Sequence, residues 1–317
     1  MSNTAIICGV SGQDGAYLAK FLLSKGYKVV GTSRDAEASR FVSLDKLGIK
    51  SKIKLVSMAL NDFRSVLQVV SKFEPNEIYN LAGQTSVGLS FSQPVETMES
   101  ISAGVLNLLE VVRFVNKKIR IYNAGSGECF GDTGDEPATE KSPFRPRSPY
   151  AVAKAASFWQ VENYREAYDL FACSGLLFNH ESPLRPDRFV TQKIIHGVRE
   201  IAEGALKKIT LGNLDIARDW GYAGDYVQPM WKMLQQDSPD DFVIATGQTH
   251  TLRDFVEKSF ENCNLDWTKY VEIDKTLFRP LDIAVSRANP TKAKDKLGWE
   301  AHDNLDDLIK RMSTSLF

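Results

Sequence analysis

Along the first half of the chain, short runs that are apolar at nearly every position alternate with longer stretches whose apolar residues recur every three or four positions. "AIICGV" (5–10), "KVVGTS" (28–33), "IKLVSMAL" (53–60), "EIYNLAG" (77–83), "IRIYNAG" (119–125) and "FACSGLLF" (171–178) are of the first kind and predict buried strands. Between them, "AYLAKFLLSKG", "DFRSVLQVVSKF", "VLNLLEVVRFV" and "YAVAKAASFWQVENYREAYD" have helical spacing. A strand apolar on both faces needs helices above and below it. The alternation therefore predicts an α/β fold, a doubly wound, Rossmann-like parallel sheet that binds ligands at the carboxyl ends of its strands.

After about residue 180 the rhythm changes. "FVTQKIIHGVREIAEG" and "DYVQPMWKMLQQ" predict amphipathic helices, and "DFVIATG" (241–247) one more sheet strand. "NPTKAKDKLGW" carries a helix start at Asn289–Pro290 and a stop at Gly298. Pro229 falls within one helical stretch, tolerable near the first turn and kinking if deeper. The pattern predicts a larger domain, residues 1–180 with a returning segment of about 220–262, and a smaller interleaved one, 181–219 and 263–317.

Composition changes this picture little. The chain has 317 residues, 43% hydrophobic and 25% charged, with a net charge of −1. That is ordinary globular composition with no basic run, so no nucleic-acid partner is expected. Cys8, Cys129, Cys173 and Cys263 form no C-x-x-C, and the four histidines show no ligand spacing beside them, so no metal is expected. No leader is evident in "MSNTAIICGV", and no segment approaches the ~18 apolar residues of a membrane span, so a cytoplasmic protein without a membrane partner is expected. Cys8 and Cys129 read as small core residues, His196 as structural, and Met230, Trp231 and Met233 as helix packing.

Candidate chemistry adds more. In "CGVSGQDGAYLA", Gly9, Gly12 and Gly15 stand between the first strand and first helix, where small residues let a turn tighten against a pyrophosphate. At the end of the second strand Arg34 comes first, with Arg40 nearby, which favours a 2′-phosphate and hence NADP, with NAD the alternative. In "SPYAVAKAAS", Tyr150 and Lys154 are four apart on one helix face, where an ammonium would lower the phenol pKa for proton exchange with a hydroxyl. Glu128 stands in "YNAGSGECFG" among glycines, a cysteine and an aromatic, costly company for a carboxylate without a partner.

Together, the glycine turn, the strand-end hydroxyl Ser126 and the Tyr-x-x-x-Lys pair resemble the extended short-chain dehydrogenase/reductases. More narrowly, "GQDGAYLAKFLL", "IYNLAGQTSV", "RSPYAVAK", "LLFNHESPLR", "FVTQKI", "LGNLDIARDWGYAGDYV", "DFVIATG" and "FRP" resemble the GDP-mannose 4,6-dehydratases, from Ala5 to about Trp299. The resemblance implies a lyase that oxidises sugar C4, loses water across C5 and C6, and returns the hydride to C6. It implies Tyr150 as base for the C4 hydroxyl, Lys154 holding the ribose, Ser126 hydrogen-bonding the sugar oxygen, and Glu128 as base at C5 and acid for the departing hydroxyl. It implies cofactor contacts by Gly9, Ser11, Gly12, Gln13, Asp14, Gly15, Arg34, Leu81, Ala82, Gln84, Tyr150, Lys154, His180 and Arg185. For the GDP-sugar it implies Thr85, Ser126, Glu128, Asn179, Val190, Lys193, Arg218, Arg279 and Asp282, with the smaller domain binding that substrate.

The chain departs from the family pattern in places. Ser126 replaces a threonine between Gly125 and Gly127, which are expected to loosen the strand end. Cys8 replaces a threonine, Ala59 an aspartate that meets the adenine, and Asp282 a glutamate. A GDP-4-keto-6-deoxy-sugar reductase or 4-epimerase is the rival reading, and a non-catalytic nucleotide-sugar sensor a third. The resemblance also implies pairing through the helices around 95–116 and 150–169 to give a homodimer, with a tetramer the alternative.

Overall fold

Six strands lead: β1 (Thr4–Cys8), β2 (Lys28–Ser33), β3 (Lys54–Ser57), β4 (Glu77–Asn80), β5 (Arg120–Ala124) and β6 (Ala172–Leu177). The computed structural model describes residues 2–278 and 281–314. Three more strands, β7 (Asn179–Glu181), β8 (Ile209–Leu211) and β9 (Ala217–Tyr222), precede β10 (Phe242–Ile244), which rejoins the first six. The order β3-β2-β1-β4-β5-β6-β10 is parallel throughout. Alternate residues serve opposite faces: Ile7 packs with Leu18, Leu22 and Met230, whereas Ile6 packs with Val66, Leu108 and Val112. Burial on both faces explains the near-continuous apolar strands.

The strands stop earlier than the apolar runs. β1 ends at Cys8 because Gly9 turns with φ +80°, and Gly83, at φ +127°, lies in the turn beyond β4. After β1 the chain feeds β2 on one side and β4 on the other. The resulting crevice is where such sheets bind ligands.

A second lobe is built around β9, which pairs with β7, β11 (Thr249–Thr251) and β13 (Val285–Ser286), while β12 (Val271–Ile273) pairs with β8. Its core joins Ile194 and Val198 to Phe255, Phe260, Leu308 and Met312. The helix Leu252–Glu261, expected with the returning segment, buries its apolar face here against Val190–Ala202 and Leu305–Thr314.

Pro229 lies at the seventh position of the helix Ala223–Met233, well past its first turn. It cannot donate to the carbonyl of Asp225. The indole N–H of Trp299 donates to that oxygen instead, at 3.2 Å. At the far end, Asn289 Oδ1 accepts the N–H of Thr291, and Gly298 ends the helix Thr291–Leu297 in the left-handed region, as the sequence predicts. Among the described residues, no helix is long and apolar enough to cross a membrane.

Candidate active site

The turn after β1 packs more tightly than any side chain would permit. A Cβ at Gly15 would lie 2.4 Å from the carbonyl oxygen of Gly9, and one at Gly9 would lie 2.9 Å from that of Leu81. The first helix, Gln13–Ser24, begins at Gly12 with no capping side chain. Its leading N–H groups lack intrahelical acceptors and carry the positive end of the helix dipole. They open on a cleft of about 750 Å³ lined by Gly9, Ser11, Gly12, Gln13, Asp14 and Gly15 and, farther along, by Arg34, Leu81, Ala82, Gln84 and Arg185. These residues fit a dinucleotide, whose pyrophosphate needs close backbone approach and unpaired N–H donors. Ala59 does not line the cleft, whereas its neighbours Met58, Leu60 and Asn61 do.

A second cavity of about 420 Å³ adjoins the first and shares Asp14, Leu81, Thr85 and Arg185 with it. Ser126, Glu128, Tyr150, Lys154, Asn179, Val190, Lys193 and Arg218 line this second cavity. Ser126 follows β5 and caps the short 3-10 turn Gly127–Phe130, its hydroxyl accepting the N–H of Glu128 at 3.2 Å. The same hydroxyl lies near the phenol of Tyr150 and works to lower its pKa. The Glu128 backbone and the Tyr150 phenol thus flank one side chain.

Gly125 and Gly127 do not loosen this region. A Cβ at Gly127 would meet the Phe178 ring at 2.9 Å, and one at Gly125 would meet the carbonyl oxygen of Gly175 at 3.0 Å. The glycines let the strand end seat against β6.

Tyr150 and Lys154 share a face of the helix Pro149–Tyr168, but the expected electrostatics differ. Burial pushes the Tyr150 phenol up, and the Ser126 hydrogen bond only partly offsets this. Lys154 instead donates to the carbonyl of Ala124 at 2.6 Å and lies 5.8 Å from the Tyr150 ring centre. Burial lowers its pKa to about 8, against the raising influence of Cys129 and Asp14. The ammonium is the group poised near neutrality.

His180, expected against the cofactor, lines the second cavity and is tied to the first helix. Its Nε2 lies 2.9 Å from Asp14 Oδ2 and its Nδ1 2.7 Å from the carbonyl oxygen of Phe178. Two acceptors call for a doubly protonated ring. Burial opposes that charge, but Asp14 and Phe178 outweigh it and raise the His180 pKa. Burial also opposes charge on Asp14, where His180 and then Arg185 prevail and hold the carboxylate below its usual range. Gln13 extends the seam, donating to the His180 carbonyl and accepting from Ser182 Oγ.

Arg218 is 4% exposed and donates to the carbonyl of Ala217 at 2.8 Å, with Asp282 3.5 Å away. Asp282 does not line the cavity. One methylene short of the expected glutamate, it reaches the site through Arg218. Arg279 lies outside the described residues. Lys193 donates to the Thr210 carbonyl at 2.7 Å, and Gln84 is turned onto Ser86 and Thr97. Cys8 and Cys129 are buried, with thiols pushed up to about 12 by burial. His196 bridges Asp187 and Gln192, and Met230 and Met233 are core residues. The sequence reading missed Arg188 and Phe189, which line both cavities. A second arginine three residues after Arg185, just before a helix start, was the available signal.

Comparison with known proteins agrees with this geometry. The family model described as GDP-mannose 4,6 dehydratase matches residues 6–312. GDP-mannose 4,6 dehydratase 1 of Arabidopsis thaliana is 44% identical, over 97% of this chain and 88% of that protein. The Homo sapiens GDP-mannose 4,6 dehydratase is 41% identical over 98% and 90%, and the Vibrio cholerae protein 39% over 98% and 93%. Among solved structures, a Thermus thermophilus UDP-glucose 4-epimerase complex with NAD superposes with a TM-score of 0.85 at 24% identity, covering 98% of each chain. DesIV, a dTDP-glucose 4,6-dehydratase from Streptomyces venezuelae, superposes with 0.87 at 18% identity, covering 98% and 96%. The two structures share the fold. The near-complete match in sequence goes further, and by it this chain belongs to the GDP-mannose 4,6-dehydratase family.

Proposed function

We propose that this chain converts GDP-mannose to GDP-4-keto-6-deoxymannose, using a nicotinamide dinucleotide held in the larger cleft. The observation that carries the reading is that Ser126, Glu128, Tyr150 and Lys154 line one cavity adjoining the larger cleft. When bound, the nicotinamide supplies a site that accepts a hydride and gives it back. Tyr150 takes the proton of the sugar C4 hydroxyl, and Ser126 holds the oxygen as it becomes a ketone. That ketone acidifies the C5 hydrogen. Glu128 removes it and delivers a proton to the hydroxyl leaving C6. Lys154 would hold a ribose hydroxyl, its positive charge favouring the phenolate form of Tyr150. Arg218 and Lys193 face the diphosphate, since a guanidinium fork matches its oxygens.

NADP is the cofactor we favour over NAD. Arg34 lines the cleft just after β2 with 80% of its side chain exposed, paired only at the surface with Glu96 at 3.2 Å. The neighbouring Asp35 ties one oxygen to its own loop, its Oδ1 accepting the N–H groups of Glu37 and Ala38. We also infer a homodimer, because Val95, Phe114 and Trp159 stand exposed on the helices around 95–116 and 150–169.

The test is incubation with GDP-mannose and each cofactor, following the 4-keto product and nicotinamide absorbance together. Product without net absorbance change is expected. Stoichiometric loss of reduced cofactor would instead mark a keto-sugar reductase and overturn the reading.

A further inference from the structure

Between the two cavities runs the strap Pro183–Phe189, stiffened by Pro183 and Pro186. Its two arginines flank one aromatic ring. The guanidinium of Arg185 stands 3.7 Å from the centre of Phe189 and that of Arg188 5.1 Å from it. All three residues line both cavities. Arg185 is neutralised by the buried Glu181 at 3.0 Å, and Glu181 is itself held by the hydroxyl of Thr191 at 2.8 Å. Among the described residues, Arg188 has no carboxylate within ion-pair distance, and the nearby Asp187 is taken by His196 at 3.2 Å.

Two like charges beside one ring repel each other, and the ring face offsets only part of that. One carboxylate neutralises one of them. The arrangement therefore carries a surplus positive charge, on an exposed side chain 5.1 Å from the ring centre, at the place where the two cavities meet. A guanidinium fork there matches a planar pair of anionic oxygens. From these contacts we propose that Arg188 is a ligand-binding residue that closes on a diphosphate at the junction of the two cavities.

The inference rests on the function proposed above, because that reading supplies two diphosphates, one in the dinucleotide and one in GDP. The experiment separates them. Dissociation constants for NADP and for GDP are measured calorimetrically on the full chain, as wild type and as Arg188→Ala and Arg188→Lys, at low and high salt. One of the two affinities is expected to fall about tenfold in Arg188→Ala and to be partly restored in Arg188→Lys. The gap should narrow at high salt, as it does for exposed charges. Whichever ligand weakens identifies the diphosphate held. Arg188 is exposed, so thermal stability should not move. Both affinities within twofold of wild type would overturn the assignment while leaving the proposed function standing. A wild-type chain that binds neither ligand would overturn both.

Discussion

Ser126 is in place before any sugar arrives, its hydroxyl accepting the Glu128 N–H and lying beside the Tyr150 phenol. Positioning of that kind replaces much of the ordering a substrate would otherwise have to supply. If Glu128 is the base at C5, Glu128→Gln should lower turnover by about two to four orders of magnitude, the usual range for a lost acid–base group. The change is nearly isosteric, so GDP affinity should stay within a few-fold of wild type. Turnover and calorimetry on the same preparation check this, and near-normal turnover would remove Glu128 from the mechanism. Lys154 gives a pH prediction. Burial lowers its pKa from 10.5 to about 8. If the ammonium assists the phenol, that assistance persists below about pH 8 and is lost above it, so kcat/KM should decline as pH rises through that value. The sign for stability is opposite. The unfolded lysine keeps its proton to 10.5 while the folded one has lost it, so this residue's contribution is fully present above that pH and lost as pH falls through about 8. A flat rate profile to pH 10 would show that Lys154 is not the titrating group.

Each element pays for local irregularity with a contact from elsewhere. In the helix Ala223–Met233, Pro229 orphans the Asp225 carbonyl and Trp299 satisfies it. Trp299→Phe should cost about 1–3 kcal/mol in chemical denaturation, the penalty of a buried acceptor left without a donor. Adding Pro229→Ala supplies a backbone N–H to the same oxygen, so the double variant should lose less than the two single effects suggest. Strict additivity would show that the indole contributes packing alone. In the nucleotide turn, Gly15→Ala would force a Cβ to within 2.4 Å of the Gly9 carbonyl oxygen and 2.7 Å of Val10 Cα, both backbone atoms. Dinucleotide affinity should collapse, with a fall in Tm, because the turn must open before the side chain fits. Much of this level was legible in advance. The seven core strands and the nucleotide turn follow from periodicity and glycine spacing, signals carried by residues close together in sequence. The strand ends were less so, because the apolar run continues past β1 while Gly9 has already turned the backbone.

For the molecule as a whole, exposed apolar groups concentrate on the helices beside β4 and β5. Val95 is 68%, Phe114 78% and Trp159 55% exposed, more than an isolated chain has reason to leave in water. If these helices pair two copies, Trp159→Glu should shift sedimentation toward the monomer. An unchanged sedimentation coefficient would place the interface elsewhere. Arg34 and the strap of Arg188 line the same cleft from positions far apart in the chain, so the site is a property of the assembled fold.

Residue order alone determined the alternation of strands and helices, the glycine turn that opens the first helix, and the spacing of Tyr150 and Lys154 on one helix face. These depend on neighbours within a few positions, where backbone geometry leaves little choice. Only the tertiary structure decided which groups would meet across the chain and what charge each would favour. Asp14 finds His180 166 residues away, Gly127 receives Phe178, and Arg218 draws Asp282. Burial turned the Tyr150 phenol upward and brought Lys154 toward neutrality, reversing the expectation from their spacing. Desolvation depends on everything packed around a group, and no local pattern encodes it.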